Sequence, residues 1–151
     1  MIRSITDSNV TGILVRGIEQ VSSIMVVDDD DAVRDSLAAL LEPEGFFVRT
    51  YASVDAFLDD LDRIPQGASP TCLLLDLHMP DRSGHELLSF LAGREYRLPI
   101  VVMTGNLNET SRQQAIERGA TAVLEKPVDA DLLIETLRAA EQGTQGRTFG
   151  G

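Results

Sequence analysis

The sequence predicts an α/β domain in which a doubly wound parallel sheet is covered by helices on both faces. Short runs rich in Val, Ile and Leu alternate five times with longer stretches of helical spacing. The first, third and fourth runs are apolar almost throughout, as expected for strands buried on both faces. A chain of 151 residues is long enough for one well-covered hydrophobic core. We therefore expect five parallel strands and five helices.

Each predicted element has its own signal. The five apolar runs are the predicted strands, at residues 24–27, 46–51, 71–76, 98–104 and 121–126. Gly45 and Gly119 each follow a helical stretch and are predicted to end it. Ser53 and Asp129 each precede one and are predicted N-caps, because their side-chain oxygens can accept hydrogen bonds from free helix N–H groups.

The domain is expected to span residues 23–142. An N-terminal tail is predicted at 1–22, and a flexible C-terminal tail or truncated linker at 143–151. No segment approaches the roughly 20 apolar residues of a membrane span. Cys72 is the only cysteine, so no internal disulfide can form. We expect it to be a buried core residue in a cytoplasmic protein.

The chain is strongly acidic. It has 24 Asp and Glu residues against 13 Lys and Arg, with a formal net charge of −11. This charge repels phosphate backbones and anionic lipid, so we expect neither direct nucleic-acid binding nor membrane binding by this chain. It favours a partner with a basic surface, or a bound cation.

Polar or charged residues stand where four of the five predicted strands end. They are Asp28 and Asp29 after the first strand, Asp76 at the third, Thr104 at the fourth and Lys126 at the fifth. The carboxyl ends of parallel strands lie at the same edge of the sheet, where open α/β sheets bind their ligands. We therefore expect three carboxylates, a hydroxyl and an ammonium to converge on one site.

The predicted ligand of this site is magnesium. Mg²⁺ binds through one or two carboxylates, waters and phosphate oxygens. His78 and His85 lie seven residues apart across a turn, so the oxygen-rich set without paired histidines argues against zinc. Asp30 and Asp31 open a helix, where acidic side chains complement the helix dipole, and we assign them that structural role.

Lys126 is predicted to be functional because of its context. The chain has twelve arginines and this one lysine, which follows a buried strand and precedes Pro127. A compact ammonium on a flexible stem reaches into a crowded anionic pocket more readily than a planar guanidinium does.

Four motifs together closely resemble the receiver domain of two-component response regulators. They are VVDDD after the first strand, LLLDLHMPDRSG around Asp76, VVMTG with Thr104 and LEKP with Lys126. The stretches DDAVRDSL, YASVDAFL and LPIVVMTG are similar to the receivers of FixJ-type transcriptional regulators. The resemblance implies a flavodoxin-like (CheY-like) fold with strand order 2-1-3-4-5.

The resemblance also implies a phosphoacceptor switch. Asp76 would accept a phosphoryl group from a sensor histidine kinase or a phosphotransfer protein, and Lys126 and Thr104 would contact phosphoryl oxygens. The change would reach an output partner through the face of helix 4, strand 5 and helix 5 at residues 106–142. The family resemblance implies that this output is transcriptional. The same face could form a homodimer.

In such domains the reaction is Mg²⁺-dependent and self-catalysed, in both phosphorylation and dephosphorylation. By the same resemblance, Asp29 and Asp76 would bind the ion directly, Asp28 through water and His78 through its backbone carbonyl. The Lys126–Pro127 peptide bond is expected to be cis.

The sequence departs from the family pattern at one place. Many receivers have Tyr or Phe three residues before the lysine, and here Val123 stands there. We hypothesise that movement of the 104–108 loop carries the signal without an aromatic ring. His78 and Asn106 flank the expected phosphoryl position and are predicted to set the lifetime of the phosphorylated state.

Three other classes of protein remain open at this point. A phosphatase of the haloacid-dehalogenase type would use Asp28 as nucleophile with Asp30 in an Asp-x-Asp pair, but the usual late acidic pair and cap are missing. A flavodoxin-like electron carrier would need a first loop without four aspartates. A pseudo-receiver, which has the same fold but only an interaction role, would lack this set of reactive residues. The resemblance leaves open the cognate kinase, and whether a DNA-binding domain follows this one.

Overall fold

The computed structural model describes residues 22–63, 72–79, 84–93 and 98–150, so the predicted N-terminal tail lies almost entirely outside the described residues. Within these residues the chain forms five strands: β1 (Ser23–Val27), β2 (Phe47–Tyr51), β3 (Cys72–Asp76), β4 (Ile100–Thr104) and β5 (Ala122–Glu125). They alternate with five helices, α1 (Asp31–Leu41), α2 (Val54–Leu61), α3 (Gly84–Ala92), α4 (Glu109–Glu117) and α5 (Ala130–Gly150). A short 3₁₀ turn, Glu42–Glu44, follows α1.

The strands form one parallel sheet in the order β2-β1-β3-β4-β5, which confirms the predicted 2-1-3-4-5 order. Val27 of β1 lies beside Tyr51 of β2 and Leu75 of β3. Thr104 of β4 lies beside Glu125 of β5. This register ends the central strands at nearly the same level, and the residues that follow them share one edge.

Both faces of the sheet are covered, as the apolar runs predict. Met25 and Val27 point to the face packed by α2, α3 and α4, while Ile24 and Val26 point to the face packed by α1 and α5. This two-sided burial explains why β1 and β3 are apolar rather than alternating. Cys72 is completely buried, as predicted, and burial raises the pKa of its thiol to about 12.

The predicted helix boundaries are confirmed at four positions. Ser53 accepts a hydrogen bond from the Ala56 N–H at 3.1 Å, and Asp129 accepts one from the Leu132 N–H at 2.9 Å. Gly45 and Gly119 have φ of 98° and 115°, left-handed values that favour glycine after a helix.

The segment after residue 142 is predicted to be a flexible tail or a truncated linker, and this division of the chain stays a prediction. Helix α5 continues through it to Gly150. Glycine in a helix interior costs about 1 kcal/mol relative to alanine but does not forbid the conformation, so Gly143 and Gly146 do not stop the helix. The Lys126–Pro127 peptide bond is cis, as the resemblance implies. Among the described helices, none is both long and apolar enough to cross a membrane.

Candidate functional site at the carboxyl edge of the sheet

The parallel register brings the predicted residues to one edge of the sheet. Asp28 follows β1 directly, and its N–H donates to the Tyr51 carbonyl at 3.1 Å, which extends the strand pairing by one residue. Asp76 and Thr104 are the last residues of adjacent strands. All three are buried polar residues, with Asp28 fully buried, Asp76 4% exposed and Thr104 1% exposed. Buried polar groups at this density require partners, and the structure supplies them.

The four consecutive aspartates after β1 have four different environments. Asp28 is buried in the site, whereas Asp29 is exposed at its rim. Asp30 is the N-cap of α1 and accepts from the Ala32 and Val33 N–H groups at 2.8 and 3.3 Å. Asp31, in the first helical turn, forms an ion pair with Arg34. The structural roles predicted for Asp30 and Asp31 are therefore confirmed.

Lys126 supplies the positive charge among these carboxylates. Its Nζ lies 2.9 Å from Asp28 Oδ2 and 3.4 Å from Asp76 Oδ2. Burial acts to lower the pKa of Lys126, but the hydrogen bond with Asp28 and the charges of Asp76 and Asp28 outweigh it and raise the pKa above its ordinary value. The ammonium therefore stays charged and bridges the ends of β1 and β3.

Asp76 lies at the centre of the site. Its Oδ1 accepts a hydrogen bond from the His78 N–H at 3.1 Å, while its Oδ2 faces Lys126. Burial raises the pKa of the Asp76 carboxyl; the His78 N–H counteracts part of that rise, and the neighbouring Asp28 carboxylate adds to it. A desolvated carboxylate next to another carboxylate is a less stable anion than a solvated one, and it gains from any added positive charge.

Thr104 occupies the other side of Asp76. Its carbonyl accepts from the Lys126 N–H at 2.8 Å, which holds the ends of β4 and β5 together. Its Oγ1 lies 3.1 Å from His78 Nε2 and accepts from the Asn106 N–H at 3.2 Å. His78 and Asn106 therefore do flank this side of the site, through contacts to the Thr104 hydroxyl.

The carboxylates form a set that fits a hard divalent cation. Asp28, Asp29 and Asp76 each offer an oxygen, and these oxygens lie within 4.8 Å of one another. Carboxylate oxygens with an open solvent side at Asp29 suit Mg²⁺, which retains waters when it binds. Excess negative charge also remains after pairing, because the set has three carboxylates and Lys126 pairs with two of them. The backbone carbonyl of His78 as a further ligand stays a prediction.

Three supporting contacts were not predicted from the sequence. Arg34 Nη1 donates to the Asp28 carbonyl at 2.6 Å and so holds the β1–α1 connection. A side chain at Gly84 would collide with the Asp76 carbonyl and the Leu77 Cα, so only glycine lets α3 begin this close to β3. Arg118 Nη1 lies 2.9 Å from His85 Nδ1. The Gly84 requirement had a signal, a glycine at the start of an apolar helix; the two arginine contacts had none.

An apolar cavity of about 500 Å³ lies beside the site, between α1 and the β5–α5 connection. Its walls are mostly aliphatic and it reaches Lys126; the lining residues are Ala32, Val33, Ser36, Leu37, Leu40, Met103, Lys126, Pro127 and Val128. It therefore joins an apolar surface to the charged pocket.

Val123, at the position where many receivers have an aromatic ring, is 5% exposed and packs in the core on the α2–α3–α4 face. A small β-branched side chain packed in this way offers no ring to rotate.

Comparisons with known proteins agree with this geometry. Residues 24–138 match the family model described as the response regulator receiver domain. The chain is 42% identical over 127 residues to the transcriptional regulatory protein FixJ of Azorhizobium caulinodans, covering 81% of this chain and 58% of that protein. The chain thus spans little more than half the length of this relative.

Solved structures show the same relationship. Full-length FixJ from B. japonicum superposes with a TM-score of 0.73 at 35% identity, covering 84% of this chain and 61% of that one. A response regulator receiver protein from Burkholderia phymatum superposes with a TM-score of 0.71 at 36% identity, covering 80% and 95%. The chain belongs to the response regulator receiver domain family and is similar to FixJ receivers.

Proposed function

We propose that this chain is a phosphoacceptor switch in which Asp76 takes a phosphoryl group from a sensor histidine kinase or a phosphotransfer protein. The observation that carries the proposal is the convergence of Asp28, Asp29 and Lys126 on a buried Asp76. An Asp76 oxygen forms the new P–O bond as the donor's N–P bond breaks, which leaves the donor histidine with the electron pair of that bond.

The residues of this chain have separate tasks in that step. The His78 N–H fixes one Asp76 oxygen, and Lys126 places a positive charge at the other. Asp28 holds Lys126 in place. Asp28, Asp29 and Asp76 would hold Mg²⁺, which when bound neutralises charge on the phosphoryl group. Phosphorylation and dephosphorylation would both be self-catalysed at this site.

The donor would dock against the surface that surrounds Asp76. The apolar cavity along α1 and the β5–α5 connection reaches Lys126 and offers area to an apolar partner surface. The acidic rim of the site, where Asp29 is exposed, favours a partner whose apolar surface is bordered by basic residues. The predicted cytoplasmic location would give the chain access to such a donor.

The signal would leave the site through Thr104. Its hydroxyl accepts from the Asn106 N–H, so movement of Thr104 toward a phosphoryl group displaces the start of the 104–108 loop. Beyond this loop lies the α4–β5–α5 face, where Ile116 and Leu132 are 43% and 46% exposed. Such apolar side chains support a homodimer or an output partner there. Regulation of transcription is the proposed output, in keeping with the name of the FixJ relative.

The proposal is tested by intact-mass analysis with Mg²⁺ and acetyl phosphate. The parent chain should gain the mass of one phosphoryl group, and Asp76→Asn should gain none because it lacks the nucleophilic oxygen. Asp30→Asn is the matched control: it removes the same charge from the helix cap and should be phosphorylated like the parent. Phosphorylation of the Asp76→Asn variant, for example at Asp28, would contradict the proposal and would favour the phosphatase alternative.

A further inference from the structure

The hydroxyl of Thr104 is shared between two neighbours. It accepts from the Asn106 N–H at 3.2 Å, and it lies 3.1 Å from Nε2 of His78. A hydroxyl has a single proton to donate. When Nε2 carries no proton, the hydroxyl donates its one hydrogen bond to the ring and cannot donate to a phosphoryl oxygen. When Nε2 carries a proton, the ring donates to the hydroxyl. Both tautomers hold Oγ1 beside the ring.

The ring of His78 is itself held in place. It packs edge-to-face against His85, with ring centroids 6.3 Å apart and planes at 73°. Arg118, the residue that caps the end of α4, contacts His85 Nδ1 at 2.9 Å. A guanidinium has only donors, so His85 Nδ1 accepts and its proton lies on Nε2. The chain of contacts thus runs from Thr104 to the end of α4.

We propose that His78 is a positioning residue that holds the Thr104 hydroxyl in the unphosphorylated arrangement, so that phosphorylation must first break the His78–Thr104 hydrogen bond. The inference rests on the proposed function of Asp76. It assigns the His78 side chain a task distinct from its backbone: the N–H orients the acceptor, and the ring opposes the switch.

The size of the effect follows from the contact. One neutral hydrogen bond corresponds to about a two- to tenfold change in an equilibrium constant. Removing it should favour the arrangement in which Thr104 contacts a phosphoryl group by that factor. The effect is an increase in affinity for a phosphoryl mimic, which a merely structural loss would not produce.

The test is the affinity of the full chain for beryllofluoride, a phosphoryl mimic, in the presence of Mg²⁺. His78→Leu retains bulk without a hydrogen bond and should bind about two- to tenfold more tightly than the parent. His78→Gln, whose amide can contact the hydroxyl, should restore the parent affinity. His78 is exposed, so both variants should fold.

A second arm repeats the His78→Leu change in a Thr104→Val background. Without the hydroxyl, His78→Leu should no longer alter the affinity. A gain that persists there would show that the ring acts sterically, and an unchanged or weaker affinity in His78→Leu alone would equally overturn the inference.

A spectroscopic arm needs no ligand. In the free protein, the NMR resonances of the Thr104 methyl and the Asn106 amide should shift in His78→Leu and return toward the parent positions in His78→Gln. Unshifted resonances would contradict the contact. A parent chain that does not bind beryllofluoride would instead refute the proposed function, and the inference with it; the two failures are therefore distinguishable.

Discussion

The two sides of Asp76 are built from different interactions. On the β1–β5 side, Lys126 lies 2.9 Å from a fully buried Asp28 and 3.4 Å from Asp76, so full charges hold the site together. On the β4 side, the Thr104 hydroxyl is held by hydrogen bonds with the Asn106 N–H and the His78 ring. The charged side is costly to disrupt, and the neutral side can exchange partners at little cost.

This difference fits the separate tasks that we propose for the two sides. A site that binds a cation and a phosphoryl group needs charges fixed in advance, because reorganising them during the reaction would cost free energy. A site that reports phosphorylation needs a group that can move, and a hydroxyl with two weak partners is such a group. The predictions below test this contrast, beginning with the largest expected effect.

Removing the central cation should have the largest effect on stability. In Lys126→Met, Asp28 and Asp76 remain buried without a counter-charge, and metal-free stability at neutral pH should fall by about 3 kcal/mol, as when one partner of a buried pair is removed. Urea unfolding measures the change. Arg138→Met is the control, since Arg138 and Glu44 form a half-exposed pair at 3.4 Å whose loss should cost no more than about 1 kcal/mol. Equal losses of stability in the two variants would show that the ion pairs of Lys126 contribute no more than an exposed pair does.

Magnesium should stabilise the chain through Asp29 but not through Asp30. At a Mg²⁺ concentration 100 times its dissociation constant, the free energy of unfolding should rise by about 2.7 kcal/mol. Asp29→Asn removes the negative charge of one proposed ligand and should therefore show little of this Mg²⁺-dependent rise in the free energy of unfolding. Asp30→Asn removes the same charge one residue later, and asparagine still caps the helix, so it should keep the rise. Thermal unfolding with and without Mg²⁺ measures both, and identical behaviour of the two variants would argue against the ion site.

Neutralising the proposed phosphoacceptor should stabilise the metal-free protein. Because the pKa of Asp76 is raised in the folded state, its ionised form opposes folding above that pKa. Asp76→Asn should therefore be more stable than the parent at neutral pH, by on the order of 1 kcal/mol, the size of a typical single substitution.

The pH dependence provides the check on that prediction. The folded parent takes up a proton as pH falls through the raised pKa, so the advantage of Asp76→Asn should shrink and vanish below the ordinary carboxyl range. Urea unfolding of both chains from neutral to acidic pH measures it. An advantage that grows on acidification would show that the pKa of Asp76 is lowered instead.

Much of this architecture could be predicted from local sequence. The apolar runs predicted all five strands, and the residues that end them, from Asp28 to Lys126, predicted the members of the site. The reason is geometric: strands of a parallel sheet end at one edge, so a local feature repeated at each strand end becomes a cluster in space. The strand order and the cis bond before Pro127 came from the family resemblance, not from the residues alone.

Other features depend on which side chains meet across elements. Adjacent aspartates look alike in the sequence, yet Asp28 is buried against Lys126 and Asp29 is exposed, because the chain turns from strand to helix between them. The contacts of His78 with Thr104, and of His85 with Arg118, join residues 26 and 33 positions apart. Local pattern carries no signal for such pairs, since they arise only after the helices pack.

The sequence by itself therefore determined the parallel sheet and the set of polar residues at its carboxyl edge, because periodicity and strand ends are properties of neighbouring residues. Only the tertiary structure decided which carboxylate is paired, which caps a helix and which side chain holds Thr104. Those outcomes depend on distances between elements far apart in the chain, and a hydrogen bond forms only when its donor and acceptor atoms lie within a narrow range of distance.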